Sequence, residues 1–280
     1  MPVRKPAVAG SFYPKDKDEL KQLIRESYLH ELGPGKLPPA PPTEAKVVSV
    51  VVPHAGYVYS GPVAAHSYLH VSSLANPELI VVVSPNHYGL GSGVSAYDSG
   101  AWETPLGSMR VYEAVAKEFA DATGIVDFDP SAQRLEHSLE VQLPFLQMIY
   151  GDSVPILPIC ISFQDQETTT TLAEGVAKVA RKRKTVLVAS SDLTHYEPAE
   201  QARKKDTALI KEILKMDVDG FYSTLERLQV TACGFGAIST IMQASKQLGL
   251  VKAELLKYAS SGDTTGEMDA VVGYGSVRFT

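Results

Sequence analysis

Hydrophobic and polar positions alternate along this chain in two recurring patterns. Short runs of apolar, mostly β-branched residues are typical of buried strands, and longer segments with apolar residues at helical spacing are typical of amphipathic helices. The strand pattern occurs at 47–52, 79–83, 154–161, 185–189, 253–259 and 269–279. The helical pattern occurs at 14–32, 61–71, 111–122, 137–149, 166–181, 199–215, 218–227 and 235–248, and a short strand or hairpin is predicted over about 94–110. This alternation predicts an α/β fold in which helices flank a mostly parallel central sheet.

The first 42 residues are predicted to form an N-terminal arm. A helix at 14–32 ends at Gly33-Pro34-Gly35, and the proline-rich segment 38–42 makes a stiff connector to the first long strand. The connector is too short to separate two domains. We therefore predict a single domain over residues 1–280, with the arm, its helix and the connector at 1–42.

The composition is that of an ordinary globular protein, with 44% hydrophobic and 21% charged residues. The net charge of −6 argues against a nucleic-acid partner, which requires a basic surface. No apolar run resembles a signal peptide or a membrane span, so we expect a cytoplasmic protein without membrane contact. The two cysteines, Cys160 and Cys233, are too few for a disulfide framework, and Cys160 lies in a strand-like run that indicates a core residue.

Four short polar clusters lie next to predicted apolar segments in the sequence. They are Pro53-His54-Ala55-Gly56-Tyr57, Ser84-Pro85-Asn86-His87, Ser190-Ser191-Asp192-Leu193-Thr194-His195 and Thr231-Ala232-Cys233-Gly234. In an open parallel sheet the carboxyl ends of the strands share one edge, and ligands bind in the crevice there. We therefore expect three histidines, one aspartate and one cysteine to gather at one place and form a metal or acid–base site.

His54 and His87 have matching contexts at two strand ends, which favours ligands or catalysts over histidines that only bond within turns. Neutral imidazole suits iron, copper and zinc, and two histidines need a third donor to hold such an ion. Asp192, Cys233 and Glu140 are the candidates for that third ligand. A thiolate would favour iron, copper or zinc over magnesium or calcium.

Asp192 and His195 follow the strand at 185–189. The ordinary pKa of histidine suits His195 to general acid–base chemistry, whereas Asp192 is equally well explained as a cap of the following turn. The segment Glu136-His137-Ser138-Leu139-Glu140-Val141-Gln142 opens a helix. Its polar residues could orient a ligand from an adjacent loop, or its glutamates could simply stabilise the first helical turn. Ser261, in a cluster after a late strand, is expected to line the same crevice.

The motifs taken together resemble the Memo family, named for a mediator of ErbB2-driven cell motility; its prokaryotic members are called AmmeMemoRadiSam system protein B. Besides the clusters at 53–57, 84–87 and 190–195, the matching motifs are Ala9-Gly10-Ser11-Phe12-Tyr13, Glu136-His137-Ser138-Leu139-Glu140, Cys233-Gly234 and Tyr258-Ala259-Ser260-Ser261. They span nearly the whole chain. The chain departs from the family pattern after Cys233-Gly234. It continues with Phe235-Gly236, whereas the family sequence usually continues toward a Pro-Ile pair.

The resemblance implies a scaffold similar to class III extradiol (LigB-type) dioxygenases, which are non-haem iron enzymes. It implies that His54 and His87 are metal ligands, that His195 is an acid/base with Asp192 beside it, and that Cys233 is the third ligand. Fe(II) is the metal most expected, with copper or zinc as alternatives. The crevice would also include Glu136, His137, Glu140, Tyr57 and Ser261.

Three functions remain open on this basis. The leading one is a metal-binding protein with a redox or oxygen-dependent role on a small molecule or partner protein. The others are a dioxygenase acting on a catechol-like substrate, with Asp192 or Glu140 as carboxylate ligand, and a non-enzymatic module that binds a peptide or protein in the crevice. The resemblance also implies a radical-SAM enzyme and an AMMECR1-like protein as partners.

Overall fold

Strands and helices alternate along most of the chain, as the sequence pattern predicts. The structure is a computed structural model that describes residues 3–280; residues 1 and 2 of the predicted arm lie outside it. The strands are β1 (Val3–Arg4), β2 (Val47–Val52), β3 (Leu79–Pro85), β4 (Val94–Ala96), β5 (Ala101–Thr104), β6 (Gly107–Arg110), β7 (Ile156–Ile161), β8 (Thr185–Ser190), β9 (His195–Glu197), β10 (Ala253–Ser260) and β11 (Val271–Phe279). The helices are α1 (Lys17–Leu29), α2 (Tyr57–Val71), α3 (Glu113–Thr123), α4 (His137–Glu140), α5 (Leu143–Tyr150), α6 (Gln166–Ala180), α7 (Ala199–Lys215), α8 (Val218–Leu228), α9 (Phe235–Gln247) and α10 (Ser261–Thr265), with a 3-10 turn at Pro130–Gln133.

The central sheet has the strand order β10-β11-β2-β8-β3-β7-β4, and β9 adds to β11. The four middle strands, β2, β8, β3 and β7, are parallel, while the strands at both edges are antiparallel. Every residue of those four strands is buried, because helices cover both faces of a parallel sheet. The predicted fold class, an α/β domain with a mostly parallel central sheet flanked by helices, is confirmed.

The helices lie in two layers. The crossover from β2 to β3 carries α2, and the crossover from β7 to β8 carries α6. These connections run in opposite directions across the sheet, so right-handed crossovers place α2 and α6 on opposite faces. Helix α1 packs on α2, and α9 packs between α6 and strands β8 and β3.

The register of the middle strands brings their carboxyl ends to one edge. Val52 pairs with Ser190, and Pro85 pairs with Ile161. Strand β8 lies between β2 and β3, although those two strands follow each other in the sequence. The polar segments after β2, β8 and β3 therefore emerge side by side.

Some local features differ from the sequence prediction. Helix α2 begins at Tyr57 rather than at 61, and its second turn includes Gly61 and Pro62, two residue types that resemble loop residues in the sequence. The helix predicted at 137–149 is divided into α4 and α5 around Val141 and Gln142. The predicted hairpin contributes β5 and β6 to a separate three-stranded sheet completed by β1. Within residues 3–280, no helix is both long and apolar enough to cross a membrane.

Candidate metal centre

His54 lies directly beyond β2, with only 1% of its surface exposed. Its backbone N–H donates to Asp192 Oδ1 at 2.8 Å, which ties the loop after β2 to the loop after β8. Its ring Nδ1 lies 2.9 Å from Ser190 Oγ at the end of β8. Burial lowers the pKa of His54 well below its ordinary value, and the nearby His137 and His87 lower it further. The imidazole is therefore neutral at physiological pH, the form that binds metals.

His87 lies beyond β3 and is held by Glu136, the N-cap residue of α4. The Glu136 carboxylate accepts the His87 backbone N–H at 2.7 Å and its ring Nδ1–H at 2.8 Å. It also caps the helix by accepting the Ser138 N–H at 2.9 Å. Burial acts to raise the pKa of Glu136, but the His87 hydrogen bond and the charge of His87 and His137 outweigh burial and lower the pKa to about 2.

Cys233 reaches the same place from the segment before α9. Its Sγ lies 3.0 Å from His54 Nε2. The close approach depends on Gly234, since a Cβ there would lie 2.3 Å from the backbone oxygen of Ser190. Burial raises the pKa of the Cys233 thiol, and the nearby Asp192 carboxylate raises it further. Without a metal, the sulfur is therefore a protonated thiol.

The structure brings His54, His87 and Cys233 together as one group of candidate ligands. One ligand atom from each lies within 4.8 Å of the other two. A second group with the same spacing combines His87, Glu136 and His137. The Glu136 carboxylate already accepts hydrogen bonds from three N–H groups. The group of His54, His87 and Cys233 therefore has more ligand atoms free to bind a metal.

Asp192 and His195 border these ligands. Asp192 Oδ2 lies 4.0 Å from His54 Nε2, and burial raises the pKa of this carboxyl group to about 6 despite the hydrogen bond from His54. His195 is half-buried; its backbone N–H donates to Thr231 Oγ1 at 2.7 Å, and its Nδ1–H donates to the Thr231 carbonyl at 3.0 Å. The segment that supplies Cys233 therefore also orients His195.

A crevice of about 560 Å³ opens onto His54 and His87, whereas Cys233 is not part of its wall. Histidines and Asp192 form part of its wall, and aromatic residues form much of the rest. The aromatic residues are Phe12, Tyr59, Tyr196 and Tyr274. A volume of this size admits a small organic molecule.

Comparison with known proteins identifies the family of the chain. The family model described as Memo-like protein matches residues 4–278. A MEMO1 family protein of Sulfurisphaera tokodaii is 45% identical over 282 residues, covering 99% of each chain. A MEMO1 family protein of Nitrosopumilus maritimus is 46% identical over 277 residues, again covering 99% of each chain. The chain belongs to the Memo family.

The fold of this Memo family member also resembles a solved structure. A crystal structure of an uncharacterized protein from Escherichia coli K12 matches with a TM-score of 0.56 at 16% identity, covering 83% of this chain and 99% of the other. At that identity the likeness concerns the fold alone. The family predicted from the motifs is confirmed, and the comparisons leave the metal and the substrate open.

Glu140, an expected alternative ligand in this Memo protein, lies elsewhere. Its carboxylate is fully buried and accepts from Arg4 Nη1 at 2.6 Å, Tyr13 OH at 2.6 Å and the backbone N–H groups of Ala7 and Val8 at 2.8 and 3.0 Å. All of these donors belong to the N-terminal arm. In contrast to the expectation from the sequence, Glu140 anchors the arm and does not belong to the group of candidate ligands.

Tyr57 also lies behind the crevice and not in its wall. Its buried hydroxyl donates to the Val141 carbonyl at 2.5 Å, and Tyr59, two residues further along α2, lines the crevice instead. Ser261 lines the crevice as expected, and its Oγ accepts the Val272 N–H at 3.0 Å. His137 lines it too, with its ring stacked on that of His87 at 4.6 Å between centroids.

Sequence reasoning assigned no role to Ser190, Thr231 or the aromatic wall of the crevice. Ser190 and Thr231 both belong to the polar clusters that contain the candidate histidines and cysteine. The sequence offered one signal for their roles, namely a hydroxyl residue directly at a strand end or near a candidate ligand. Hydroxyl residues are also ordinary turn formers, so that signal does not separate the two roles.

Proposed function

We propose that this Memo family protein holds a divalent or redox-active metal ion, with Fe(II) foremost, through His54, His87 and Cys233. We further propose that the bound metal has a redox or oxygen-dependent role on a small molecule or a partner protein. The observation that supports the proposal is the convergence of two imidazole nitrogens and one sulfur within 4.8 Å at the carboxyl edge of the sheet.

The donor set fits such an ion. Two neutral imidazoles and a thiolate suit iron, copper and zinc and are poor ligands for magnesium or calcium. Glu136 holds the His87 ring from its Nδ1 side, an arrangement that orients metal-binding histidines in many proteins. When bound, iron or copper would supply Lewis-acid and one-electron chemistry at the inner end of the crevice.

The remaining polar groups of the chain suit proton transfer beside that centre. The Thr231 carbonyl holds the Nδ1–H of His195, which leaves Nε2 free to take a proton from a bound molecule and to return it. Asp192 fixes the His54 loop through the backbone and turns its other oxygen toward the ligands. The aromatic wall would pack against an apolar or planar part of the bound molecule.

The ligand set is tested by loading the protein with Fe(II), copper or zinc under anaerobic conditions and measuring bound metal. We expect about one ion per chain in the wild type and loss of tight binding in His54→Ala and Cys233→Ser. The matched controls are His30→Ala, on the exposed end of α1, and Cys160→Ala, in buried β7. Unchanged stoichiometry in both site variants would contradict the proposal.

A ring-cleaving dioxygenase is the second candidate, because Asp192 offers a carboxylate close to His54, and His195 offers an acid/base in the same crevice. Oxygen uptake by the metal-loaded protein with a panel of catechols tests this function. Turnover that disappears in His195→Gln would support it. If the loaded protein shows no turnover but binds peptides equally well without metal, a non-enzymatic binding module is favoured instead.

A further inference from the structure

Ser190 is fully buried at the last position of β8, and its hydroxyl contacts three polar atoms. Ser190 Oγ lies 2.7 Å from the Ser138 carbonyl oxygen, 2.8 Å from Gln142 Nε2 and 2.9 Å from His54 Nδ1. A hydroxyl has one proton to donate and two lone pairs that accept. The three contacts therefore use its whole hydrogen-bonding capacity.

The direction of each bond follows from the partners. A carbonyl oxygen only accepts, so the single Ser190 proton goes to Ser138. An amide NH₂ only donates, so Gln142 fills one lone pair of the hydroxyl. The contact with His54 is then a bond from Nδ1–H to the second lone pair, and the proton of the neutral imidazole lies on Nδ1.

The orientation of the Gln142 amide is fixed independently. Its Nε2 also donates to the Pro53 carbonyl at 3.1 Å, and its Oε1 accepts the Tyr68 hydroxyl at 2.6 Å. A flipped amide would set its oxygen against the Pro53 oxygen. Gln142 and Tyr68 are both almost completely buried, so water does not offer a substitute partner.

We propose that Tyr68, Gln142 and Ser190 form a relay of directed hydrogen bonds that positions His54 with its proton on Nδ1 and its lone pair on Nε2. This lone pair points toward Cys233 Sγ, 3.0 Å away. The inference deepens the proposed function and rests on it in one respect, namely that a metal would use this lone pair. Tyr68, Gln142 and Ser190 are positioning residues, since none of them lies in the wall of the crevice.

The same short segment also sets the tautomer of the second histidine. Glu136 is a carboxylate and only accepts, so the Nδ1 of His87 carries a proton, and Nε2 is the nitrogen left to bind a metal. Ser138 and Gln142 act on His54, and Glu136 acts on His87. The segment 136–142, which contains α4, therefore prepares both imidazoles as metal ligands in the metal-free protein.

The relay is tested by ¹⁵N NMR of the histidine rings in metal-free protein at neutral pH. In the wild type we expect the His54 signals of a protonated Nδ1 and an unprotonated Nε2. In Ser190→Ala the acceptor is lost, and we expect a shift toward protonation at Nε2. Ser190→Thr keeps the hydroxyl and restores the wild-type pattern, and Ser84→Ala, an equally buried serine at the end of β3, leaves it unchanged.

Metal affinity is the second measurement. We expect Ser190→Ala to weaken Fe(II) binding by about 10- to 100-fold, the usual effect of removing an orienting partner of a metal ligand, and Ser84→Ala to have no such effect. A wild-type spectrum with His54 protonated at Nε2 overturns the relay, whether or not the variants fold. If the wild type shows the expected tautomer but binds none of the three metals, the relay stands and the proposed function fails.

Discussion

Glu136 and Glu140 lie one helical turn apart, and both are fully buried, yet they belong to two different regions of the molecule. Glu136 lies behind the crevice wall and accepts from the backbone and ring of His87, which lines the crevice. Glu140 faces the N-terminal arm and accepts from Arg4, Tyr13 and two backbone N–H groups. One short helix and its N-cap residue thus join the candidate ligand group to the N-terminal arm.

The difference shows how the donors around a buried carboxylate decide its role. Every lone pair of Glu140 that the arm can reach is taken by a fixed donor, so the carboxylate stabilises structure and cannot bind a metal as well. One partner of Glu136 is an imidazole whose other nitrogen faces the crevice. Glu136 therefore acts on chemistry through a neighbour, whereas Glu140 acts on stability alone.

Among the changes that distinguish the two regions, Glu140→Gln should cause the largest loss in the free energy of unfolding. The substitution leaves the buried Arg4 guanidinium without its carboxylate, and breaking a buried pair in this way costs about 3–5 kcal/mol. Urea unfolding measures the loss. Glu103→Gln, which removes the exposed partner of Lys5 in the same arm, should cost less than about 1 kcal/mol.

Metal binding in Glu140→Gln provides the other half of that test. At temperatures where the variant is folded, we expect its metal stoichiometry to equal that of the wild type, because Glu140 makes no contact with the ligand group. Loss of metal from folded Glu140→Gln would show that the two regions are not separable.

On the crevice side, the buried His137 should make the free energy of unfolding depend on pH by about 3 kcal/mol. Burial lowers the pKa of His137 from 6.5 to about 4, so the unfolded chain takes up a proton that the folded chain does not. The free energy of unfolding should therefore fall as pH decreases from 6.5 to about 4, and His137→Asn should remove this part of the decrease.

His70 is the matched control for that measurement. It lies at the other end of α2 from the crevice, and burial also lowers its pKa to about 4. His70→Asn should remove a similar part of the acid destabilisation without changing metal binding. An unchanged pH profile of unfolding in His137→Asn would contradict the assignment of a neutral, buried imidazole at the crevice.

Tyr13→Phe is a milder change in the arm region. It removes the hydroxyl that donates to Glu140 Oε1, and a hydrogen bond to a charged group contributes about 1.5–3 kcal/mol. Urea unfolding should show a loss in this range, smaller than that of Glu140→Gln. Equal losses in the two variants would mean that the Arg4 pair adds nothing beyond the tyrosine.

Glu136→Gln should have the smallest effect in free energy, and that effect should be confined to metal affinity. A glutamine cannot accept from both the backbone and the ring of His87 with its two ends, so the imidazole loses its fixed orientation. We expect metal affinity to fall by about 10- to 100-fold, or about 1.4–2.7 kcal/mol, measured by competition with a chelator. Glu118→Gln, in a surface pair with Lys182, should leave the affinity unchanged.

Much of the fold could be predicted from the sequence because its strands are buried on both faces. The runs at 47–52 and 185–189 are continuous and apolar, and they coincide with β2 and β8 to within one residue. Strands β1 and β9 were not predicted, since they have two and three residues and depend on partners distant in sequence. The division between α4 and α5 was missed because 137–149 keeps a helical apolar spacing across the break.

The part of the candidate site that lies at the strand ends could be predicted from the sequence. His54, His87 and Cys233 were expected together and lie together. The separate directions of Glu136 and Glu140 were not predictable, because the residue that decides them, Arg4, is more than a hundred positions away. The roles of Ser190 and Gln142 depend on which buried donors and acceptors meet in three dimensions, and the sequence does not contain that information.

Strand β8 has a consequence for the order of events during folding. It separates β2 from β3 in the sheet, although more than 90 residues of chain lie between the end of β3 and the start of β8. A nascent chain that has not yet reached β8 lacks the strand that spaces His54 from His87, and it also lacks Ser190. Pairings so distant in sequence form slowly. Metal capture by the proposed ligands is therefore expected to follow the completion of the sheet, and an ion supplied early in synthesis would find His54 without Ser190.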